Sequence, residues 1–60
     1  MWLVLNVNKP EKEIRVNMDQ VERMEPGHEQ TTKLFFASGR VLRVVEPIGS
    51  IWDWMSRDKT

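Results

Sequence analysis

Residues 31–45 read TTKLFFASGRVLRVV and contain two β-prone segments on either side of a Ser-Gly pair. Glycine adopts positive φ without steric cost, so Ser38-Gly39 suits a tight turn between antiparallel strands. The apolar residues that alternate onto one face are Leu34, Phe36, Leu42 and Val44. Those that fall on the other face are Phe35, Val41 and Val45. The stretch therefore predicts a hairpin over 31–45 whose sheet carries apolar groups on both faces.

A second hairpin is predicted over residues 2–17. Residues 2–8 and 13–17 are β-prone and alternate in polarity, and Pro10 favours a turn over residues 8–11. The inward-facing residues would be Leu3, Leu5, Val7, Ile14 and Val16. Trp2 and Val4 fall on the opposite face, which is apolar near the N-terminus. We therefore expect something to cover that face.

The segment between the hairpins allows two interpretations. Asn17 is suited to cap a short helix, because its side chain accepts hydrogen bonds from free backbone amides. Alternatively, Met18–Gln20 form one turn and a strand begins at Val21. The pattern favours the turn followed by a short strand, and Pro26-Gly27 then breaks it.

The C-terminal segment predicts an amphipathic helix over residues 47–57. Pro47 suits the first helical position, since its missing N–H would have no partner within the helix. The residues spaced as one helical stripe are Ile48, Ile51, Trp52 and Met55. Trp54 lies about 60° beyond the edge of that stripe, at about 100° per residue, so it flanks the buried face.

Together these segments predict one α+β domain, residues 1–60. Its antiparallel sheet of four to five strands would be packed by the C-terminal helix. A chain of 60 residues buries only about 60% of its unfolded surface and is marginally stable alone. Disulfides are excluded because the sequence has no cysteine. Self-association, most simply as a homodimer, is the remaining route to added stability.

Catalysis is not expected from these residues. The single histidine, His28, lies beside Pro26-Gly27, and no nucleophile with a base can be assembled around it. Thiolate metal sites are excluded, the glycines are isolated, and no cofactor or metal is expected. No apolar stretch approaches the roughly 20 residues of a membrane span, and residues 1–5 lack the features of a signal peptide. We therefore expect a cytoplasmic protein that is not an enzyme.

Protein interaction is the function that the composition favours. The sequence has three tryptophans, a residue enriched at interface hot spots. The residues expected at a protein interface are Trp2, Val4, Phe35, Val41 and Trp54. The alternative is nucleic-acid binding, with Phe35 stacking on bases beside the basic residues Lys33, Arg40 and Arg43. Against it, acidic and basic residues balance at nine each.

The order of the segments resembles the FlbD/SwrD family of small bacterial flagellar proteins. The similarity rests on Ile14–Asn17, Val21–Glu25, Thr32–Phe36, Ser38–Arg40, Val44–Glu46 and the closing helix. Ser38-Gly39-Arg40 stands where the family has Asn-Gly-Lys, and Glu46-Pro47 where it has Glu-Ser. The resemblance implies a small accessory or regulatory protein without a catalytic site. The same order of strands and turns occurs in the longer DNA-binding LytTR domains, and small phage or plasmid regulators fit it equally well.

Overall fold

A computed structural model of the protein describes residues 1–8 and 10–57, which form five strands and one α-helix. The elements in chain order are β1 (Trp2–Asn8), β2 (Glu11–Asn17), β3 (Val21–Pro26), β4 (Thr32–Phe36), β5 (Val41–Val44) and α1 (Ile48–Arg57). Short 3₁₀ turns span Met18–Gln20 and His28–Gln30. Lys9, in the turn predicted between β1 and β2, lies outside the described residues. The α+β class is confirmed.

Both predicted hairpins are confirmed. β1 and β2 pair antiparallel, with Leu5 opposite Ile14. β4 and β5 pair antiparallel, with Leu34 opposite Leu42. Gly39 has φ 93°, which is the left-handed conformation that the Ser-Gly turn requires, and its N–H donates to the Phe36 carbonyl at 2.9 Å.

The segment after β2 is a turn followed by a strand, as predicted. The Asn17 side chain accepts a hydrogen bond from the Asp19 N–H at 3.1 Å and caps the 3₁₀ turn. β3 then pairs with β4, and its register shifts between Val21 and Arg23. This bulge lets Val21 and Met24, three residues apart, both pack against the core.

The prediction of one continuous sheet is wrong. The strands form a β1–β2 sheet and a β3–β4–β5 sheet. The two sheets meet where the Val45 N–H donates to the Asn6 carbonyl at 2.8 Å. Next to this bond, the Glu46 carboxylate accepts from the Asn6 N–H at 3.0 and 3.1 Å and from Asn6 Nδ2 at 2.7 Å. The Asn6 N–H is taken up by the Glu46 carboxylate, and Pro47 has no N–H, so neither residue donates a further backbone bond across this junction. We call this Asn6–Val45–Glu46 junction the seam.

One core lies between the two sheets and the helix. Its buried members are Leu5, Val16, Met18, Leu34, Val44 and Ile51. Thr32 is fully buried as well, and its hydroxyl donates to the Glu46 carbonyl at 2.7 Å. The core therefore draws on both sheets and on one face of α1.

The C-terminal helix begins at Ile48, one residue later than predicted. The Pro47 carbonyl accepts from the Ser50 and Ile51 N–H groups, so Pro47 occupies the capping position before the helix. Trp52, predicted in the buried stripe, is instead 59% exposed. At about 100° per residue, Ile48, Ile51 and Met55 span only about 60° of the helix surface, and Trp52 lies outside that arc. No helix among the described residues is both long and apolar enough to cross a membrane.

Candidate protein-interaction surface

All three tryptophans reach the solvent. Trp2 is 66% exposed, Trp52 59% and Trp54 37%. An exposed tryptophan leaves a large apolar ring in water, and such rings are common anchors in protein interfaces. Trp52 and Trp54 flank opposite sides of the buried face of α1, since Trp52 follows Ile51 by about 100° and Trp54 precedes it by about 60°. The helix thus presents an aromatic ring on each flank.

Trp2 contributes to a groove between the β1–β2 hairpin and the β4–β5 hairpin. The groove has a volume of about 370 Å³, and its lining includes Trp2, Ile14, Phe36, Val41 and Leu42. The charged residues that line it are Arg15 and Arg40, and no acidic residue of the described chain lines it. The groove therefore combines an apolar lining with positive charge.

The predicted interface residues lie on several parts of this surface. Val4 shares the outer face of β1 with Trp2 and is 51% exposed. Val41 is 55% exposed, lines the groove with Trp2 and pairs across the sheet with Phe35. Trp54 belongs to α1, which contributes no described residue to the groove. The structure thus brings Trp2 and Val41 together in one groove, with Val4 two residues from Trp2 on β1 and Phe35 opposite Val41 on β4, whereas Trp54 lies apart.

Phe35 is half-buried, and an arginine lies over one face of its ring. The Arg23 guanidinium carbon lies 4.1 Å from the centre of the Phe35 ring, at cation–π distance. The Arg23 Nε also donates to Glu25 at 3.0 Å. This pairing partly occupies the ring face that a stacked base or a partner side chain would use.

The three basic residues of the nucleic-acid alternative do not form one cluster. Lys33 and Arg43 are directly opposite each other on β4 and β5. They line a second groove of about 640 Å³, together with His28 and Glu29. Arg40 lies in the turn before β5 and lines the first groove. The structure therefore groups Lys33 with Arg43 and places Arg40 in another groove.

The second groove contains the most unusual backbone of the described chain. Glu29 and Gln30 have φ of 53° and 63°, a backbone conformation that residues other than glycine rarely adopt. The Thr31 hydroxyl and N–H both donate to the His28 carbonyl and hold the turn closed. Among residues 1–8 and 10–57, no three acidic or histidine side chains come together as a metal site.

Two features of this surface do not follow from the polarity pattern of the sequence. Strict alternation from Val21 would turn Arg23 inward, and only the bulge brings it over Phe35. The signal available in the sequence was the three-residue spacing of Val21 and Met24, which does not fit a regular strand. The exposure of Trp52 was also missed, because the width of the buried arc depends on how much of the sheets the helix covers.

Comparison with known proteins finds no matching family model, and neither a curated protein nor a solved structure matches the chain.

Proposed function

We propose that this protein is a small non-catalytic regulator or adaptor that acts through protein–protein contacts as a homo-oligomer. The observation that carries the proposal is the position of Trp2, which is 66% exposed and lines an apolar groove of about 370 Å³. Covering such a ring contributes roughly 25 cal/mol for each Å² of apolar surface removed from water. A cytoplasmic location and a bacterial accessory role, as the FlbD/SwrD resemblance implies, belong to the same proposal.

The groove beside Trp2 defines the partner chemistry that we propose. Its apolar lining suits an inserted aliphatic or aromatic side chain, and Arg40 at its edge suits a neighbouring carboxylate. The favoured partner is therefore a protein segment with an apolar anchor and an acidic flank.

A peptide-display selection tests this proposal. The wild-type protein should enrich peptides that combine an apolar residue with Asp or Glu. The Trp2→Ala variant should lose this enrichment, whereas Trp52→Ala, an equally drastic change at an exposed tryptophan outside the groove, should keep it. Equal enrichment by wild-type protein and Trp2→Ala would show that the groove is not the binding site. Trp54→Ala, in the same selection, tests whether α1 extends the surface.

Nucleic-acid binding is the second candidate, and the Lys33–Arg43 pair beside Phe35 favours it. Polyanion binding should then fall steeply with rising salt, because each phosphate contact releases counterions. The matched variants are Lys33→Glu with Arg43→Glu, which remove the pair, and Arg40→Glu, which leaves it intact. Retention on heparin that is unchanged by the double substitution would exclude this candidate.

A further inference from the structure

From the free edge of β2 we infer that two copies of this chain join by antiparallel pairing of β2 with β2 about a twofold axis at Ile14. The inference rests on the proposal that the protein works as a homo-oligomer, and it names the surface and register of that contact. It uses the edge of the β1–β2 sheet, which adjoins the groove beside Trp2, because Ile14 and Arg15 of β2 also line that groove.

The direction of the backbone groups identifies the edge. Asn6 directs its N–H and C=O toward Glu46 and Val45, away from β2. Asn6 is opposite Glu13 in the register, so this pair exchanges no backbone hydrogen bonds. The Glu13 N–H and C=O therefore point away from β1. Since backbone direction alternates along a strand, the same holds for Glu11, Arg15 and Asn17.

No described strand pairs with this side of β2, which is hydrogen-bonded to β1 alone. An edge of this kind is a template for another strand. β2 is seven residues long, and pairing over its full length joins the two β1–β2 sheets into one sheet of four strands. A sheet of that width is more stable than an isolated hairpin.

The order of charged residues along β2 indicates that a second copy of this chain pairs with its free edge. Charged side chains on an edge strand usually oppose pairing. Here the acids Glu11 and Glu13 precede Ile14, whereas Arg15 and Asn17 follow it. Antiparallel pairing centred on Ile14 therefore places Glu13 of each copy opposite Arg15 of the other, and Glu11 opposite Asn17. Opposite charges in direct cross-strand positions stabilise a sheet.

The neighbouring registers are less favourable. A shift by two residues that centres the axis on Glu13 keeps two complementary pairs, Glu11 with Arg15, but places the two Glu13 carboxylates opposite each other. A shift that centres the axis on Arg15 places two guanidinium groups opposite each other and leaves no complementary pair among the outward-facing residues. After a shift by one residue, each backbone N–H and C=O at the free edge of one copy faces a residue whose own N–H and C=O point toward β1. The two edges then cannot exchange backbone hydrogen bonds. The register centred on Ile14 also brings together the two Ile14 side chains, which are half-buried in the single chain.

A charge-reversal experiment tests this register. Glu13 and Arg15 are both exposed, so Glu13→Arg and Arg15→Glu should leave the fold unchanged, as circular dichroism will verify. Sedimentation over a concentration series should show dimers for the wild-type chain and monomers for each variant alone. An equimolar mixture of the two variants should form a heterodimer, because both cross-strand pairs are then complementary. Glu22→Arg, the same charge change on an exposed residue of β3, should dimerise as the wild type does.

Three results would overturn the inference. They are a wild-type chain that stays monomeric, single variants that still dimerise, and single variants that fail to dimerise while their mixture stays monomeric. Glu13 does not line the groove beside Trp2, so Glu13→Arg should lose the dimer and keep the peptide enrichment. Failure of the β2 contact and failure of peptide binding by the groove can thus be told apart.

Discussion

The seam between the two sheets predicts a specific loss of stability when Glu46 is truncated. The Glu46 carboxylate accepts from the Asn6 N–H at 3.0 and 3.1 Å and from Asn6 Nδ2 at 2.7 Å. Hydrogen bonds to a charged group contribute about 1.5–3 kcal/mol, and water replaces part of that at a half-exposed site. We therefore expect Glu46→Ala to lower the free energy of unfolding by about 2 kcal/mol. A chain of this length has roughly 3–9 kcal/mol in total, at about 0.05–0.15 kcal/mol per residue.

Amide replacements at the seam sharpen this prediction. In Glu46→Gln, the new amide oxygen accepts from the Asn6 N–H while the Asn6 amide turns over, so the loss should stay below about 1 kcal/mol. Asn6→Asp places a second carboxylate against Glu46 and should cost more than Glu46→Gln. Combining Asn6→Asp with Glu46→Gln should recover much of that loss, because the amide introduced by the second substitution then donates to the carboxylate introduced by the first.

Urea unfolding at one fixed protein concentration, followed by circular dichroism, measures these differences. Glu22→Ala, at an exposed strand position, is the control and should lie within about 0.5 kcal/mol of wild type. A Glu46→Ala variant as stable as that control would refute the reasoning. So would additive effects of Asn6→Asp and Glu46→Gln in the double variant.

Four other substitutions have expected effects on the same unfolding measurement. Gly49→Ala should raise stability by about 0.5–1 kcal/mol, because the added Cβ would meet no atom within 4 Å and glycine is a poor helix former. Gly39→Ala should lower stability by about 1–2 kcal/mol because its φ is 93°, and two changes of the same sign would contradict this contrast. Ile51→Val, at a fully buried site, should lower stability by about 0.5–1.5 kcal/mol. An unchanged stability would show that this face of the helix does not pack in the core. Thr32→Val removes the bond to the Glu46 carbonyl and should cost about 1 kcal/mol, whereas an unchanged midpoint would show that this bond contributes nothing.

The hairpins could be predicted from the sequence because their determinants are local. Alternation in residues 2–8 and the positive φ available to Gly39 act within a few residues, and the structure confirms both. The break between the sheets could not be predicted in this way. It depends on Glu46 meeting Asn6, a residue 40 positions away in the chain.

The candidate interaction surface was only partly predictable for the same reason. Alternation identifies Trp2 and Val4 as one face of a strand, and their exposure agrees with that. The groove that joins Trp2 to Val41 depends on how the two hairpins are arranged in space. The exposure of Trp52 depends on how wide a face of α1 the sheets cover. The spacing of apolar residues along the helix does not predict that width.

The seam also has a consequence for the order of events in folding. Each hairpin closes a short loop, whereas the Asn6–Glu46 contact closes a loop of 40 residues. Closing a long loop costs conformational entropy before the contact at its ends can stabilise the chain. We therefore expect the seam to form after the rate-limiting barrier. Glu46→Ala should then speed unfolding and leave refolding almost unchanged in stopped-flow experiments, and slower refolding would place the seam in the folding nucleus. The junction between the sheets would then be the last part of the molecule to assemble and the first to open.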